Sequence, residues 1–256
     1  MPAILEVILS PTELAGLRQR DLRDSVCVVF DILRATSSMV TALANGAESI
    51  IPVADIEQAV ALRRQRPDVL LAGERDGLRI GAALSGGVEF DLGNSPREFT
   101  AAKVGGRCVV MTTTNGTLAL RACAGARHVL AAGFLNLGAV IGWLRARKPA
   151  QLILVCSGTH EEPALEDVLA AGAMCQALMP DFADGRVSDG AEIARRLYPQ
   201  FERDPCEAAR HSRNGRRLLA LPELRDDVAL CFARDRYGLV AEMSADGALR
   251  PAFTPA

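Results

Sequence analysis

Asp31-Ile-Leu-Arg34 sets one carboxylate and one guanidinium within a single short segment. Thr112-Thr-Thr-Asn-Gly-Thr117 offers four hydroxyls, an amide and a glycine that lets a ligand approach the backbone closely. The helix that should follow it adds free N–H groups and the positive end of its dipole. Ser157-Gly158-Thr159 repeats the arrangement in smaller form. Hydroxyls, N–H groups and Arg bind phosphate oxygens, whereas carboxylates bind Mg2+, a hard cation that shares its ligands with phosphates. A phosphate ester is the ligand these loops suit best.

Each piece also has a plainer reading. The threonine-rich loop could be a helix-capping turn, and Asp31 could form a buried ion pair with Arg34. Glu166 and Asp167 could complement the N-terminus of their own helix. Ser95 with Glu98 reads as a capping box, with Pro96 at the first helical position. His160 and His211 read as surface residues, and His128 as filling a strand edge. Cys156 at a strand end suggests a cysteine phosphatase, but no Arg follows to close a phosphate loop, so it reads as structural. No Gly-x-x-x-x-Gly-Lys-Ser/Thr stretch is present, which argues against a P-loop nucleotidase. Asp31-Ile-Leu is not an Asp-x-Asp nucleophile loop either.

The elements that must position these groups are three units of buried strand, polar loop and helix. The strands are expected over 26–30, 108–111 and 152–155, with helices after them through Ala44, over 118–124 and over 163–178. Short apolar runs before turn residues suit strands buried on both faces. Asn45-Gly46 and Gly125 suit helix stops. Strand–helix alternation predicts an α/β fold: a mainly parallel or mixed sheet flanked by helices, in one domain over 1–256. Units at about 24–70 and 106–150 share a pattern, so an internal repeat forming two similarly built lobes is one option. Further helices are expected over 57–64 and 138–147, and a late strand over 228–232. Ligands of parallel α/β sheets bind beyond the carboxyl ends of the strands, where all three polar loops fall.

Composition narrows the classes. Hydrophobic residues make up 49% and aromatics only 4%, so Val, Leu, Ile and Ala must fill a sizeable core. A net charge of -2 gives no global field toward nucleic acid or an anionic membrane. Only Lys103 and Lys148 are Lys among the basic residues, a bias that genome composition explains. The seven cysteines form no Cys-x-x-Cys, which suits reduced thiols in a cytoplasmic protein. No basic region followed by an apolar stretch opens the chain, and no apolar run approaches the roughly 20 residues of a membrane helix.

Taken in order, Asp31-Ile-Leu-Arg-Ala-Thr-Ser, Gly73-Glu-Arg, Phe90-Asp-Leu-Gly-Asn-Ser-Pro, Thr112-Thr-Thr-Asn-Gly-Thr, Cys156-Ser-Gly-Thr with Glu166-Asp167, and Ser212-Arg-Asn-Gly215 resemble the 2-phosphosulfolactate phosphatase family. The resemblance spans most of the chain. It implies an α/β fold and Mg2+-dependent hydrolysis of the phosphate ester of a small 2-hydroxy acid, in some archaea a step of coenzyme M biosynthesis. Two stretches depart from the family pattern: Ala82-Ala-Leu-Ser-Gly-Gly-Val-Glu89, expected to reshape the pocket rim, and Gly238-Leu-Val-Ala-Glu242.

Chemistry and motif position together assign roles. Asp31 and Arg34 are the catalytic candidates. Asp31, Glu166 and Asp167 are the candidates for Mg2+. Substrate would be held by Thr36, Gly73, Glu74, Arg75, Asn94, Ser95, Thr113, Thr114, Asn115, Gly116, Thr117, Ser157 and Gly158. Arg75 or Arg213 would take the substrate's carboxylate or sulfonate. The expected partner is a small-molecule phosphate ester, with no nucleic acid and no membrane; a homo-oligomer is compatible with the sequence. Two competing functions remain at this stage: a non-catalytic anion-binding protein of the same fold, and a phosphoryl transferase with an acceptor other than water.

Overall fold

The structure is a computed structural model and describes residues 2–252. Its strands are β1 (Ile4–Ile8), β2 (Ser25–Phe30), β3 (Ser49–Pro52), β4 (Leu70–Arg75), β5 (Leu78–Arg79), β6 (Cys108–Thr112), β7 (His128–Ala132), β8 (Gln151–Cys156), β9 (Arg186–Val187), β10 (Val240–Met243) and β11 (Leu249–Ala252). The helices are α1 (Pro11–Leu17), α2 (Ala35–Ala44), α3 (Ile56–Gln65), α4 (Ala101–Val104), α5 (Gly116–Ala122), α6 (Leu137–Arg147), α7 (Leu165–Leu178), α8 (Asp189–Leu197), α9 (Arg213–Ala220) and α10 (Arg225–Cys231). The predicted α/β class holds: eleven strands form one mixed sheet in the order β5-β4-β6-β3-β11-β10-β7-β2-β8-β1-β9.

β2 reads Ser-Val-Cys-Val-Val-Phe and is buried at every position. Such a run has no polar face to give to water, so it must lie between layers of helices. It pairs in parallel with β7 on one side and β8 on the other. β6 is equally buried and lies between β3 and β4.

This placement interlocks the two similar units. The first runs β2-α2-β3-α3-β4 and the second β6-α5-β7-α6-β8. Each unit's first strand is inserted between the second and third strands of the other. Neither half of the sheet is therefore built from one unit alone.

The antiparallel pair β10–β11 joins the halves and reverses strand direction between β7 and β3. The loops after β2 and β6 would then point apart in a flat sheet. Five inter-strand steps separate these strands, and a twist of roughly 20–25° per step turns one against the other by about 100–125°. The two loops can thus converge, and they do: a Cβ added at Gly116 would lie 2.5 Å from Asp31 Oδ2. The small-residue helix α2 and the short helix α5 fill the space between, over a core that includes Met39, Val40, Ala119 and Leu120.

The late strand expected over 228–232 is instead the helix α10. Val228 and Cys231, three residues apart, turn inward together, and Asp226 and Asp227 occupy the first turn, where carboxylates suit the helix dipole. No helix among the described residues is long and apolar enough to cross a membrane. All seven cysteines are free, six of them buried.

Candidate active site

A polar pocket lies where the loops after β2, β4, β6 and β8 meet, with α9 closing one side. The structure brings together Asp31, Arg34, Glu74, Asn94, Thr114, Asn115 and Gly158 of the sequence's candidates in its lining. Asp76, Gly77, His160 and Arg217 line it as well, none of them assigned to a site by the sequence, together with Thr159 and Asn214, which entered only within the loop and motif they belong to.

Asp31 follows directly on β2, so its carboxylate leaves water at the end of a buried strand. Oδ1 accepts a hydrogen bond from Ala35 N–H at 3.0 Å. Oδ2 is turned toward Gly116, where only the missing side chain leaves it room. Burial pushes the Asp31 carboxyl up to about 7; the Ala35 N–H opposes the rise, and the nearby Glu74 and Glu166 carboxylates add to it. Thr36 does not face the pocket. Its hydroxyl donates to Asp31 O and accepts from Asp31 N–H, which fixes the loop.

Arg34 is not the partner of Asp31. Its Nη1 donates to Asp227 Oδ2 at 2.7 Å, and both side chains are buried. Its Nη2 donates to Gly77 O at 2.7 Å. Asp227 also accepts from Ser95 Oγ and from Arg97 Nε, each at 2.7 Å. Ser95 is accordingly not a capping-box residue: its hydroxyl goes to Asp227, while Glu98 accepts from Gly93 N–H. The short turn at Pro96–Glu98 gives a capping hydroxyl too few helical N–H groups to serve.

Two of the four threonine hydroxyls hold the loop itself. Thr113 Oγ1 accepts from Thr117 N–H and Thr117 Oγ1 from Thr113 N–H, each at 3.2 Å. Thr114 donates both N–H and hydroxyl to Glu74 Oε1 at 2.9 Å. Asn115 bridges to the third loop: its Nδ2 donates to Ser157 O and His160 O at 2.9 Å, and its Oδ1 accepts from His160 N–H. Glu74 uses its other oxygen to accept from Gly77 N–H at 2.7 Å. Glu74 therefore ties the threonine loop to the turn after β4.

Of the other acidic candidates, Asp167 clamps two loops. Its oxygens accept from Ile32 N–H at 2.8 Å and Gly158 N–H at 3.0 Å. Burial, then Asp31 and Glu166, push its carboxyl well above the usual range against those two donors. Glu166 Oε1 accepts from Asn214 Nδ2 at 2.9 Å, while Oε2 is buried without a hydrogen-bond partner. A buried carboxylate oxygen without a donor fits a hard cation. Among the described residues, no three His, Cys, Asp or Glu side chains converge as a ready-made ligand set. The donor set present suits Mg2+, which keeps waters and phosphate oxygens around one or two carboxylates.

Several assignments fall outside the pocket. Gly73 packs under Thr112 O, where a Cβ would collide. Arg75 donates to Glu74 O and Thr112 Oγ1 and faces a separate groove with Leu84 and Ser85. The 82–89 stretch borders that groove rather than the Asp31 pocket, so it does not shape the pocket rim. Arg213 pairs with Glu162 at 2.9 Å, also outside. Ser157 is buried with its hydroxyl unpartnered. Burial pushes the Cys156 thiol far up, so it is no nucleophile.

The residues that sequence reasoning missed had one readable signal. Asp76-Gly77, with φ of 54° and 74°, forms the two-residue turn joining β4 to β5. Asp-Gly is a strong hairpin signal because both central residues need positive φ.

Comparison with known proteins agrees with this geometry. Residues 12–246 match the model of the 2-phosphosulpholactate phosphatase family. A "probable 2-phosphosulfolactate phosphatase" of Thermotoga petrophila is 36% identical over 237 residues, covering 93% of this chain and 94% of the relative. A protein of the same name from Caldicellulosiruptor saccharolyticus is 38% identical over 234 residues, covering 86% and 90%. Another from Deinococcus radiodurans is 44% identical over 197 residues, covering 77% and 78%. The chain belongs to the 2-phosphosulpholactate phosphatase family.

Proposed function

We propose that this chain hydrolyses the phosphate ester of a small 2-hydroxy acid of the 2-phosphosulfolactate type, releasing the free hydroxy acid and inorganic phosphate, with Mg2+ as cofactor. The observation that carries this reading is one pocket holding both the open Asp31 oxygen and the Arg34 guanidinium, at the carboxyl ends of interlocked strands. The relatives' shared name supports the substrate class.

Arg34 takes the phosphoryl oxygens. Its charge is fixed in place by Asp227 and Gly77 O, so little reorganisation is needed as negative charge shifts during transfer. Asp31 Oδ2 faces the same space, where a carboxylate oxygen can accept a proton from the attacking water. Asp31 in this pocket and Glu166 in the adjoining groove, which shares Thr159 and Asn214 with it, offer the oxygens that would hold Mg2+, while Asp167 anchors the loops that carry them. When bound, the ion would polarise the phosphoryl group and offset its charge. The free cysteines support a reducing, cytoplasmic setting.

The test is phosphate release from 2-phosphosulfolactate by the wild-type chain with Mg2+, beside Asp31→Ala. Turnover that Asp31→Ala abolishes is expected. A chain that binds the ester without releasing phosphate would overturn the reading in favour of an anion-binding protein.

A further inference from the structure

We propose that Arg217 determines specificity by binding the second anion of the substrate, the carboxylate or sulfonate beside the phosphate, and that the Asp76–Gly77 turn sets its distance from Arg34. The proposal rests on the phosphatase reading of the pocket.

Two guanidiniums hang on consecutive carbonyls of one turn. Gly77 O accepts from Arg34 Nη2 at 2.7 Å. Asp76 O accepts from Arg217 Nη2. Both Arg residues line the pocket that holds Asp31. The turn is held in place: it has two residues, both with positive φ, and Gly77 N–H is bonded to buried Glu74. Gly77 also leaves a flat bed, since a Cβ there would lie 3.7 Å from the Arg217 Cζ.

The charges of the two differ. Arg34 pairs with Asp227, a carboxylate that it shares with Arg97. Among the described residues Arg217 forms no salt bridge, and its side chain hydrogen-bonds only to the Asp76 carbonyl. A carbonyl orients a guanidinium without cancelling its charge. The remaining N–H groups of Arg217 are free for a planar or tetrahedral oxyanion, the partners a guanidinium fork suits best. The other Arg candidates are occupied elsewhere: Arg75 with Glu74 O and Thr112, Arg213 with Glu162. A substrate of the proposed class carries a carboxylate and a sulfonate besides its phosphate. With the phosphate on Arg34, one of these anions falls toward Arg217.

The experiment titrates 3-sulfolactate, lactate and inorganic phosphate into the wild-type chain and into Arg217→Gln and Arg217→Lys, with melting curves for each. Arg217 is exposed, so the variants should keep the wild-type melting temperature. Arg217→Gln should weaken sulfolactate binding by about tenfold more than phosphate binding, the scale of one charged hydrogen-bonding contact. Arg217→Lys should recover part of the loss. A loss confined to sulfolactate assigns the sulfonate; an equal loss for lactate assigns the carboxylate. In turnover, the preference for 2-phosphosulfolactate over phenyl phosphate, as a ratio of kcat/KM, should fall by a similar factor. Equal losses for sulfolactate and phosphate, or none, would overturn the role of Arg217 while leaving an active phosphatase intact. A wild-type chain that neither binds sulfolactate nor hydrolyses its phosphate ester would overturn both this role and the phosphatase reading.

Discussion

The Arg34 guanidinium and the Asp227 carboxylate meet at 2.7 Å, with side chains only 3% and 0% exposed. Arg34 comes from the loop after β2 and Asp227 from α10, almost two hundred residues later, so the contact ties the C-terminal helices to the pocket. Removing one partner of such a buried pair leaves the other charge uncompensated, at about 3–5 kcal/mol. Asp227→Ala should therefore lower the melting temperature strongly and also reduce kcat/KM, because Arg34 loses its orientation. Asp227→Asn can keep a hydrogen bond to Ser95 and should lie between the two. A normal melting temperature in Asp227→Ala would show that the pair is not the anchor described here.

Gly116→Ala tests the contact between the two interlocked units. A Cβ at this position would lie 2.5 Å from Asp31 Oδ2 and 2.6 Å from Ala35 Cβ. In an exposed helix Gly→Ala stabilises by up to about 1 kcal/mol. Here the added methyl should displace the Asp31 loop, so the variant should lose activity and melt earlier than wild type. A stabilised, fully active Gly116→Ala would mean that the two loops are not in contact in solution.

The strands and loops that bear the chemistry were legible because each unit is locally encoded. Val26 to Phe30 is an apolar run too short for a helix, and Asp31 ends it. The partners of those loops were not legible, because they arise from twist and interlock. Asp31-Ile-Leu-Arg34 leaves a buried ion pair open on spacing alone, yet Arg34 turns to Asp227, just before the strand expected over 228–232. Thr113 and Thr117 read as phosphate donors by residue type, yet in three dimensions they hydrogen-bond each other's N–H groups. Arg217 sits outside every recognised motif and enters the pocket only because Asp76-Gly77 folds back to meet α9.

Asn115→Ala should act on the loop before it acts on chemistry. The side chain makes three hydrogen bonds to the loop after β8, and these are partly exposed. At roughly 0.5–1.5 kcal/mol each, their loss should cost about 1.5–4.5 kcal/mol of stability. The melting temperature should fall, and kcat/KM should drop with it as the pocket wall at Gly158 to His160 loosens. An unchanged melting temperature with lost activity would instead make Asn115 a direct donor to phosphate.

Asp31→Asn separates stability from catalysis. The half-buried Asp31 carboxyl is pushed up to about 7 in the metal-free fold, against roughly 3.9 in an unfolded chain. Below about pH 4 it is protonated in both states and carries no penalty. As pH rises from about 4 to 7 the unfolded chain ionises first, so the folded state loses stability steadily, and the loss levels off above 7. Asn cannot ionise and can still accept from Ala35 N–H, and Arg34 keeps Asp227, so no buried charge is stranded. Without metal, Asp31→Asn should therefore melt near wild type at pH 4 and above it at pH 8. Added Mg2+ should raise the wild-type melting temperature at pH 8 and move the variant little, because the variant lacks the charge that attracts the ion. Phosphate release should collapse in Asp31→Asn at every pH, and in wild type EDTA should abolish it until Mg2+ is restored. A melting difference that does not change with pH would remove the case for a strained Asp31. A fully active Asp31→Asn would move the reacting centre to Glu166, whose Oε2 is buried without a hydrogen-bond partner.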